Sequence, residues 1–223
     1  MYIVFEGPDG SGKSTIKEMV VGRIKSDWKN FEKQGVTEWH DFHQPGSTEL
    51  GEQLRTLCKD KALKASGESQ FYMTVADHYQ FVYEHIAPVK NILHAQSCLF
   101  LQDRHSAISG YAYQVAGNDV AWIKYYEAHN QLLVDFPESE PDLVLLFQPK
   151  LKTILKRIKG RGGKVDRYEG EGFLKKVISG YKQVPAEGIF DHSRYVIIPS
   201  DGTIAQQYKY VREAIKDTLH LDI

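Results

Sequence analysis

The chain has 223 residues, 42% of them hydrophobic, and 28 basic against 29 acidic side chains leave a net charge of −1. That length and apolar content suit one α/β domain spanning residues 1–223, and the near-neutral balance argues against an extended footprint on nucleic acid or an anionic membrane, leaving a small-molecule substrate as the expectation. Cys58 and Cys98 form neither a metal-binding spacing nor a disulfide framework, and no stretch approaches the ~18 apolar residues of a membrane span. A cytoplasmic protein is expected, because the first residues read as a core strand and not as a leader.

That strand is Tyr2 to Phe5, apolar and β-branched, and it stops at a glycine-rich turn that opens a helix from Lys13 towards Lys25. Within the turn, Gly7 to Ser14 fits G-x-x-x-x-G-K-[ST], the phosphate loop. Glycines let successive N–H groups point inward, the helix N-terminus adds positive potential, Lys13 brings a cation and Ser14 offers a hydroxyl to Mg²⁺. Val36 to Phe42 reads as a second strand, followed by the turn-rich loop His43 to Thr48, a helix over Glu49 to Leu57 and a polar loop over Lys59 to Ser69. A long helical segment from Phe71 to His94 is interrupted near Pro88, with Val75, Tyr79, Val82 and Ile86 at core spacing.

Cys98 to Leu101 and Leu143 to Phe147 are continuous apolar runs, as central parallel strands require, and Tyr195 to Ile198 makes a fifth strand. Strands alternating with helices predict a parallel sheet wrapped on both faces, its strand ends opening towards one ligand-binding rim. Between the last two strands, the basic helix Leu151 to Lys159 runs into Gly160-Arg161-Gly162-Gly163-Lys164-Val165-Asp166-Arg167. Glycine hinges and arginines there predict a mobile, anion-seeking lid over about residues 157–170.

Phosphoryl transfer needs two substrates in line, Mg²⁺ between phosphates and cations on the charged oxygens. Lys13, Arg104, Arg157 and Arg161 are the candidate cations, with Arg167 a weaker one. Asp103, just beyond an apolar strand, could act on Mg²⁺ or orient the acceptor, or else cap a helix or pair with Arg104. Asp9 within the phosphate loop suits a sugar hydroxyl, or a turn-stabilising role.

These motifs together resemble the thymidylate kinases, which transfer the γ-phosphate of ATP to dTMP. Phe5-Glu6-Gly7-Pro8-Asp9-Gly10-Ser11-Gly12-Lys13-Ser14-Thr15 is similar to the family's F-E-G-x-D-G-x-G-K-S-T, and Pro45 to Arg55 to its P-G-G-T-x-L-G-E-x-L-R. Asp103-Arg104-His105 with Ser109 and Ala112-Tyr113-Gln114 is similar to D-R-[YH]-x-x-S-x-x-A-Y-Q, and Arg157, Arg161, Asp166, Arg167 and Glu169 fall on the arginine-bearing lid. The resemblance implies a P-loop kinase fold with a five-stranded parallel sheet, ATP and Mg²⁺, and a homodimer formed through the long helix. It also implies roles. Gly7, Asp9, Gly10, Ser11, Gly12, Lys13, Ser14 and Thr15 would cradle the donor phosphates, Ser200 and Asp201 would border its adenine, and Ser14 and Asp103 would hold the metal. On the acceptor side, Asp9 would take the 3′-hydroxyl, Arg104 the phosphate, and Ser109, Gly110, Tyr113 and Gln114 would surround the base. With Gly10 and Ser11 in the phosphate loop, the catalytic arginine would come from the lid, Arg161 first.

Departures cluster on the acceptor side. His43 and Gln44 stand where the family has arginine and glutamate, His78 where an arginine reaches the base, and Thr74 where an aromatic ring stacks on it. Phe71 or Tyr72 is a candidate replacement for that ring, and the lid is one residue longer around Gly162-Gly163. Cationic His43 and His78 would make acceptor binding weaken as pH rises from about 6 to 8. The expectation is a deoxynucleoside monophosphate kinase acting on dTMP or a related pyrimidine, a modified base included. A deoxynucleoside kinase and a nucleotide-dependent switch with slow ATPase activity are the alternatives.

Overall fold

The computed structural model describes residues 1–60, 62–90, 97–161 and 168–223, with the backbone alone at Lys90 and Arg161. Strands β1 (Tyr2–Glu6), β2 (Glu38–His43), β3 (Cys98–Asp103), β4 (Leu143–Phe147) and β5 (Arg194–Ile198) form a five-stranded parallel sheet in the order β2-β3-β1-β4-β5. β1, β2 and β3 end one or two residues beyond the expected stretches, because ladder hydrogen bonds continue into the polar rim residues Glu6, His43 and Asp103. β4 has the expected bounds, whereas β2 begins two residues later than Val36 and β5 one residue before Tyr195.

Alternation within the central strands supplies two cores. Ile3, Phe5, Leu143, Leu145 and Phe147 pack with Ile16, Val20 and Ile24 of α1 (Lys13–Ser26) and with Val211 and Ile215 near the C-terminus. The opposite faces, Tyr2 and Val4 or Val144 and Leu146, meet Phe81 and Val82 on one side and Tyr111, Val177 and Tyr181 on the other. Strands buried on both faces are what the uninterrupted apolar runs encode.

Around this sheet lie α2 (Trp28–Lys33), α3 (Glu49–Lys59), α4 (Gly67–Phe81), α5 (Ala87–Lys90), α6 (Ser106–Gly110), α7 (Trp122–Asp135), α8 (Leu151–Arg161), α9 (Glu171–Gln183) and α10 (Ile204–Leu219). The long helical stretch is divided: α4 passes through a π-helical turn at Val82–Ile86 into α5, so the break begins before Pro88. Val82 and Ile86 are buried and Val75 and Tyr79 partly so, whereas Asp77 and His78 on the same helix are also fully enclosed. Among the described residues, no helix is long and apolar enough to cross a membrane.

Register places the site. Phe5 and His43 both align with Asp103, so the ends of β1, β2 and β3 finish level. The phosphate loop, the Gln44–Gly46 turn and Arg104 therefore leave the sheet at one rim, where parallel α/β sheets bind ligands.

Candidate active site

Gly7, Gly10 and Gly12 take φ of 147°, 77° and 95°, and a Cβ at Gly7 would come within 2.5 Å of the Phe147 carbonyl oxygen. The loop thus curls against β4 as only glycine allows. It delivers the chain to α1, whose N-cap Gly12 makes no side-chain cap and whose first turn holds no acidic residue. First-turn N–H groups of a helix lack intrahelical partners, so this end presents an anion site. Gly10, Ser11, Lys13, Ser14 and Thr15 all belong to this segment; Lys13 is buried, while Ser14 and Thr15 are exposed.

Lys13 Nζ lies 3.7 Å from Asp103 Oδ1, and the Ser14 hydroxyl donates to Asp103 Oδ2 at 2.6 Å. Burial would raise the Asp103 carboxyl, but Lys13 and Arg104 outweigh it and hold it below the ordinary range. Asp103 Oδ1 is buried and makes no hydrogen bond.

Arg104 follows with φ of 68°, a conformation few non-glycine residues adopt. From there its guanidinium donates to Asp9 Oδ1 at 2.8 Å, to the Tyr181 hydroxyl at 2.8 Å and to the Tyr113 hydroxyl at 3.2 Å. Asp9 is only partly buried, with a third of its side chain open; desolvation would raise its carboxyl, yet Arg104 and Lys13 drive it far down, so it is anionic. Beneath this pair, Glu6 accepts from His105 N at 2.5 Å, Tyr181 OH at 2.9 Å and Gly7 N at 3.2 Å. Burial raises Glu6 to about 7 against the pull of Arg104.

On the other side of the rim, a polar chain holds the Pro45 turn. Gln102 donates to Gln44 Oε1 at 2.6 Å and to the Arg104 carbonyl at 2.7 Å, while Gln44 donates to Asp77 at 3.4 Å. Asp77 also accepts from Gly46 N and the Ser106 hydroxyl; burial lifts it to about 6, partly opposed by Gly46 N–H. Thr48 caps α3 by accepting from Gly51 N at 2.9 Å.

These parts enclose a cleft of about 410 Å³. Of the residues singled out from sequence, Asp9, Lys13, Ser14, His43, Thr74, Asp103, Arg104, Ser109, Gly110, Tyr113 and Gln114 line it. Gln44, Pro45, Arg55, Cys58, Lys59, Tyr168 and Glu169 complete the wall. Pro45, Arg55 and Glu169 stand in the quoted motifs and Gln44 directly precedes one; Cys58, Lys59 and Tyr168 carry no spacing that marks them, because they arrive from the end of α3 and from beyond α8.

Three expectations change. His78 is not in the cleft: it is 1% exposed, its ring meets those of His105 and His129 at 4.5 and 5.7 Å, and neither ring nitrogen has a hydrogen-bond partner. Burial, with His105 and His129 adding to it, keeps it neutral far below the usual histidine range. His43 does face the cleft, but burial and Arg55 lower its pKa, so it too is mainly neutral at pH 7. Phe71 is fully buried in the core and Tyr72 is 56% exposed away from the cleft, so neither replaces the missing ring at Thr74; Tyr113 and Tyr168 are the aromatic walls, edge to face at 5.8 Å.

The donor side also differs in detail. Arg157 does not face the cleft: it donates to the carbonyls of Gly10 at 3.1 Å, Ser11 at 2.9 Å and Ser200 at 2.8 Å, which ties the phosphate loop to the turn after β5. Ser200 turns its hydroxyl onto the Ile198 carbonyl, and Asp201 accepts from Thr153 and from Lys150 N at the start of α8. The Arg161 side chain and residues Gly162, Gly163, Asp166 and Arg167 of the expected lid lie outside the described residues.

A family model described as thymidylate kinase matches residues 5–206. The chain is 30% identical over 221 residues to a thymidylate kinase of Caldicellulosiruptor saccharolyticus, covering 98% of this chain and 97% of that one. It is 29% identical over 211 residues to one from Ectopseudomonas mendocina, covering 92% and 90%, and 33% identical over 187 residues to one from Finegoldia magna, covering 82% and 84%.

Proposed function

The chain belongs to the thymidylate kinase family, and on that premise we propose that it transfers the γ-phosphate of ATP to dTMP, giving dTDP, across the cleft just described. The observation that carries this reading is Arg104, whose guanidinium is held between Asp9, Tyr113 and Tyr181 at the mouth of the phosphate loop. A fixed, forked cation facing the donor site suits a phosphorylated acceptor, since a guanidinium matches two phosphate oxygens at once.

In this reading the N–H groups of the loop and Lys13 bind the β- and γ-phosphates, and Arg104 binds the acceptor phosphate. The attacking atom is then a phosphate oxygen, anionic at pH 7, so positioning and charge neutralisation do the catalysis and no base is required. Asp9 receives the 3′-hydroxyl, while Ser109, Gly110, Tyr113 and Gln114 border the base. Ser14 and Asp103 are the residues that would hold Mg²⁺: both offer hard oxygen donors, and the unbonded, buried Asp103 Oδ1 fits that use. A Mg²⁺ ion held there would supply neutralisation of the charge that builds on the phosphate oxygens. Arg161 at the end of α8 is the lid cation of this proposal, and a homodimer its assembly. Arg157 acts as a buttress of the loop.

Product analysis after mixing the protein with Mg-ATP and, separately, dTMP, dUMP, dCMP, dGMP, dAMP and thymidine tests the reading. Preferential dTDP formation is expected. Phosphorylation of thymidine alone would make the protein a nucleoside kinase, and ATP loss without any acceptor would make it a switch.

A further inference from the structure

At the opposite end of β2 and β3 from the cleft, Glu38, His40 and Cys98 converge, with their ligand atoms all within 4.8 Å of one another. Glu38 and His40 project from the same face of the edge strand, two residues apart, and Cys98 is the register partner of Glu38 on β3. His40 Nε2 is 3.2 Å from Glu38 Oε1, and Cys98 Sγ is 3.2 Å from that same oxygen. A tetrahedral zinc ion with ordinary bond lengths separates a nitrogen and an oxygen ligand by about 3.3 Å, and a sulfur and an oxygen by about 3.5 Å. Two edges of the trio, nitrogen to oxygen and sulfur to oxygen, are therefore already near the spacing of such a site, and the third lies within 4.8 Å.

The imidazole is held in place independently of its polar partners: it stacks on Phe42 at 5.6 Å with planes 3° apart and on Phe100 at 5.1 Å with planes 16° apart. Cys98 is buried, whereas Glu38 and His40 keep half and about two-fifths of their side chains open, which leaves a path for an ion. We propose that Glu38, His40 and Cys98 form a zinc site with solvent as fourth ligand, which staples the edge strand β2 to β3. Thiolate, imidazole and carboxylate together select a borderline-soft divalent ion over Mg²⁺. On binding, the Cys98 thiol proton leaves to solvent as the Zn–S bond forms. The site is remote from phosphoryl transfer, since five residues of strand separate Glu38 from His43, about 17 Å.

The test uses the untagged full-length chain, stripped with chelator and desalted, then dialysed against Zn²⁺ alone without nucleotide or Mg²⁺. One equivalent of zinc is expected, with a rise of several degrees in melting temperature; His40→Gln, Glu38→Gln and Cys98→Ser should each weaken binding tenfold or more and remove that rise. With Co²⁺, a thiolate-to-metal charge-transfer band should appear in the parent and vanish in Cys98→Ser. Should Cys98→Ser fold poorly, His40→Gln on the exposed edge decides the question. Zinc bound equally by parent and His40→Gln would place the ion elsewhere and overturn the proposal. No zinc retained by the parent would leave a hydrogen-bonded trio only.

Discussion

Arg104 and Asp9 face each other at 2.8 Å across the gap between the end of β3 and the phosphate loop, joining two segments far apart in the chain. Neither residue is satisfied by its own element; each is fixed by the other and by Tyr113. The strand end and the phosphate loop therefore orient each other.

Replacing the guanidinium tests this pair. On the proposed reading Arg104→Gln loses the acceptor-phosphate contact, and it leaves the Asp9 carboxylate without its main counter-charge. A loss of about 10- to 100-fold in kcat/KM for dTMP is expected, the range set by one charged hydrogen bond. Steady-state kinetics at fixed Mg-ATP measure it, and Arg104→Lys should recover only part, because a point charge cannot span two oxygens. An unchanged dTMP KM would remove Arg104 from the acceptor site.

Lys13 and Asp103 lie 3.7 Å apart, and the proposed reading gives them the transferring group and the metal. Lys13→Ala should lower kcat by about 100- to 1,000-fold while changing the dTMP KM by less than about threefold, as for a donor that acts at the transition state. Asp103→Asn should raise the Mg²⁺ concentration needed for half-maximal rate. Equal changes in kcat and KM for Lys13→Ala would point to uniform binding instead.

Glu6 adds a pH dependence to folding. Its carboxyl is raised to about 7 in the folded protein, so in the window between the ordinary glutamate value and 7 the folded state holds a proton that the unfolded state has lost. Stability from this group is full at acid pH and declines as pH rises through 7. Between pH 5 and 8 the melting temperature of the parent relative to that of Glu6→Gln should fall as pH rises. The difference between the two proteins isolates Glu6, since all other titrating groups are shared.

The buried histidines act in the opposite sense. His105 is pushed down to about 4 and His129 to about 3 by burial, and His78 falls well below its usual range. Groups depressed on folding stabilise above their unfolded pKa and lose that contribution as pH drops, here from about 6.5 downward. His78→Met, which keeps the volume and removes two unpartnered nitrogens, should flatten the acid side of the melting profile. The dTMP KM should stay within about twofold, because His78 does not touch the cleft. A tenfold KM change would return His78 to the acceptor site.

Packing around Asp77 is intolerant of added volume. A Cβ at Gly51 would lie 2.2 Å from Asp77 Oδ1, the atom that also receives Gly46 N–H. Gly51→Ala should cost about 1–3 kcal/mol and lower the melting temperature by roughly 3–10 °C, with a raised dTMP KM as the Pro45 turn shifts. Calorimetry together with kinetics would separate the two effects.

Much of this was legible without coordinates. The run Tyr2 to Thr15 specifies strand, loop and helix through local chemistry, β-branched residues followed by glycines and then a lysine, and that chemistry needs no distant partner. Continuous apolar runs marked β3 and β4 as doubly covered strands, and Arg104 with Asp103 stood out as charges at a strand end. The ladder order, by contrast, is not written in any one segment, and β1, β2 and β3 outrun their apolar residues because polar rim residues keep pairing in the sheet.

Side-chain direction is what only the tertiary structure decided. Thr74 and His78 lie one turn apart on the same face of α4, and the period alone cannot show which turn of that face meets the cleft until α4 is docked on α6; docking set His78 against His105 and His129. Likewise, Arg157 reads as a free cation in sequence, yet the carbonyls of Gly10, Ser11 and Ser200 meet only when the loops after β1 and β5 come together. Sequence by itself determined which segments carry phosphate chemistry, since that follows from local backbone and charge; the fold determined which charges remain available to a substrate, since that depends on neighbours far apart in the chain.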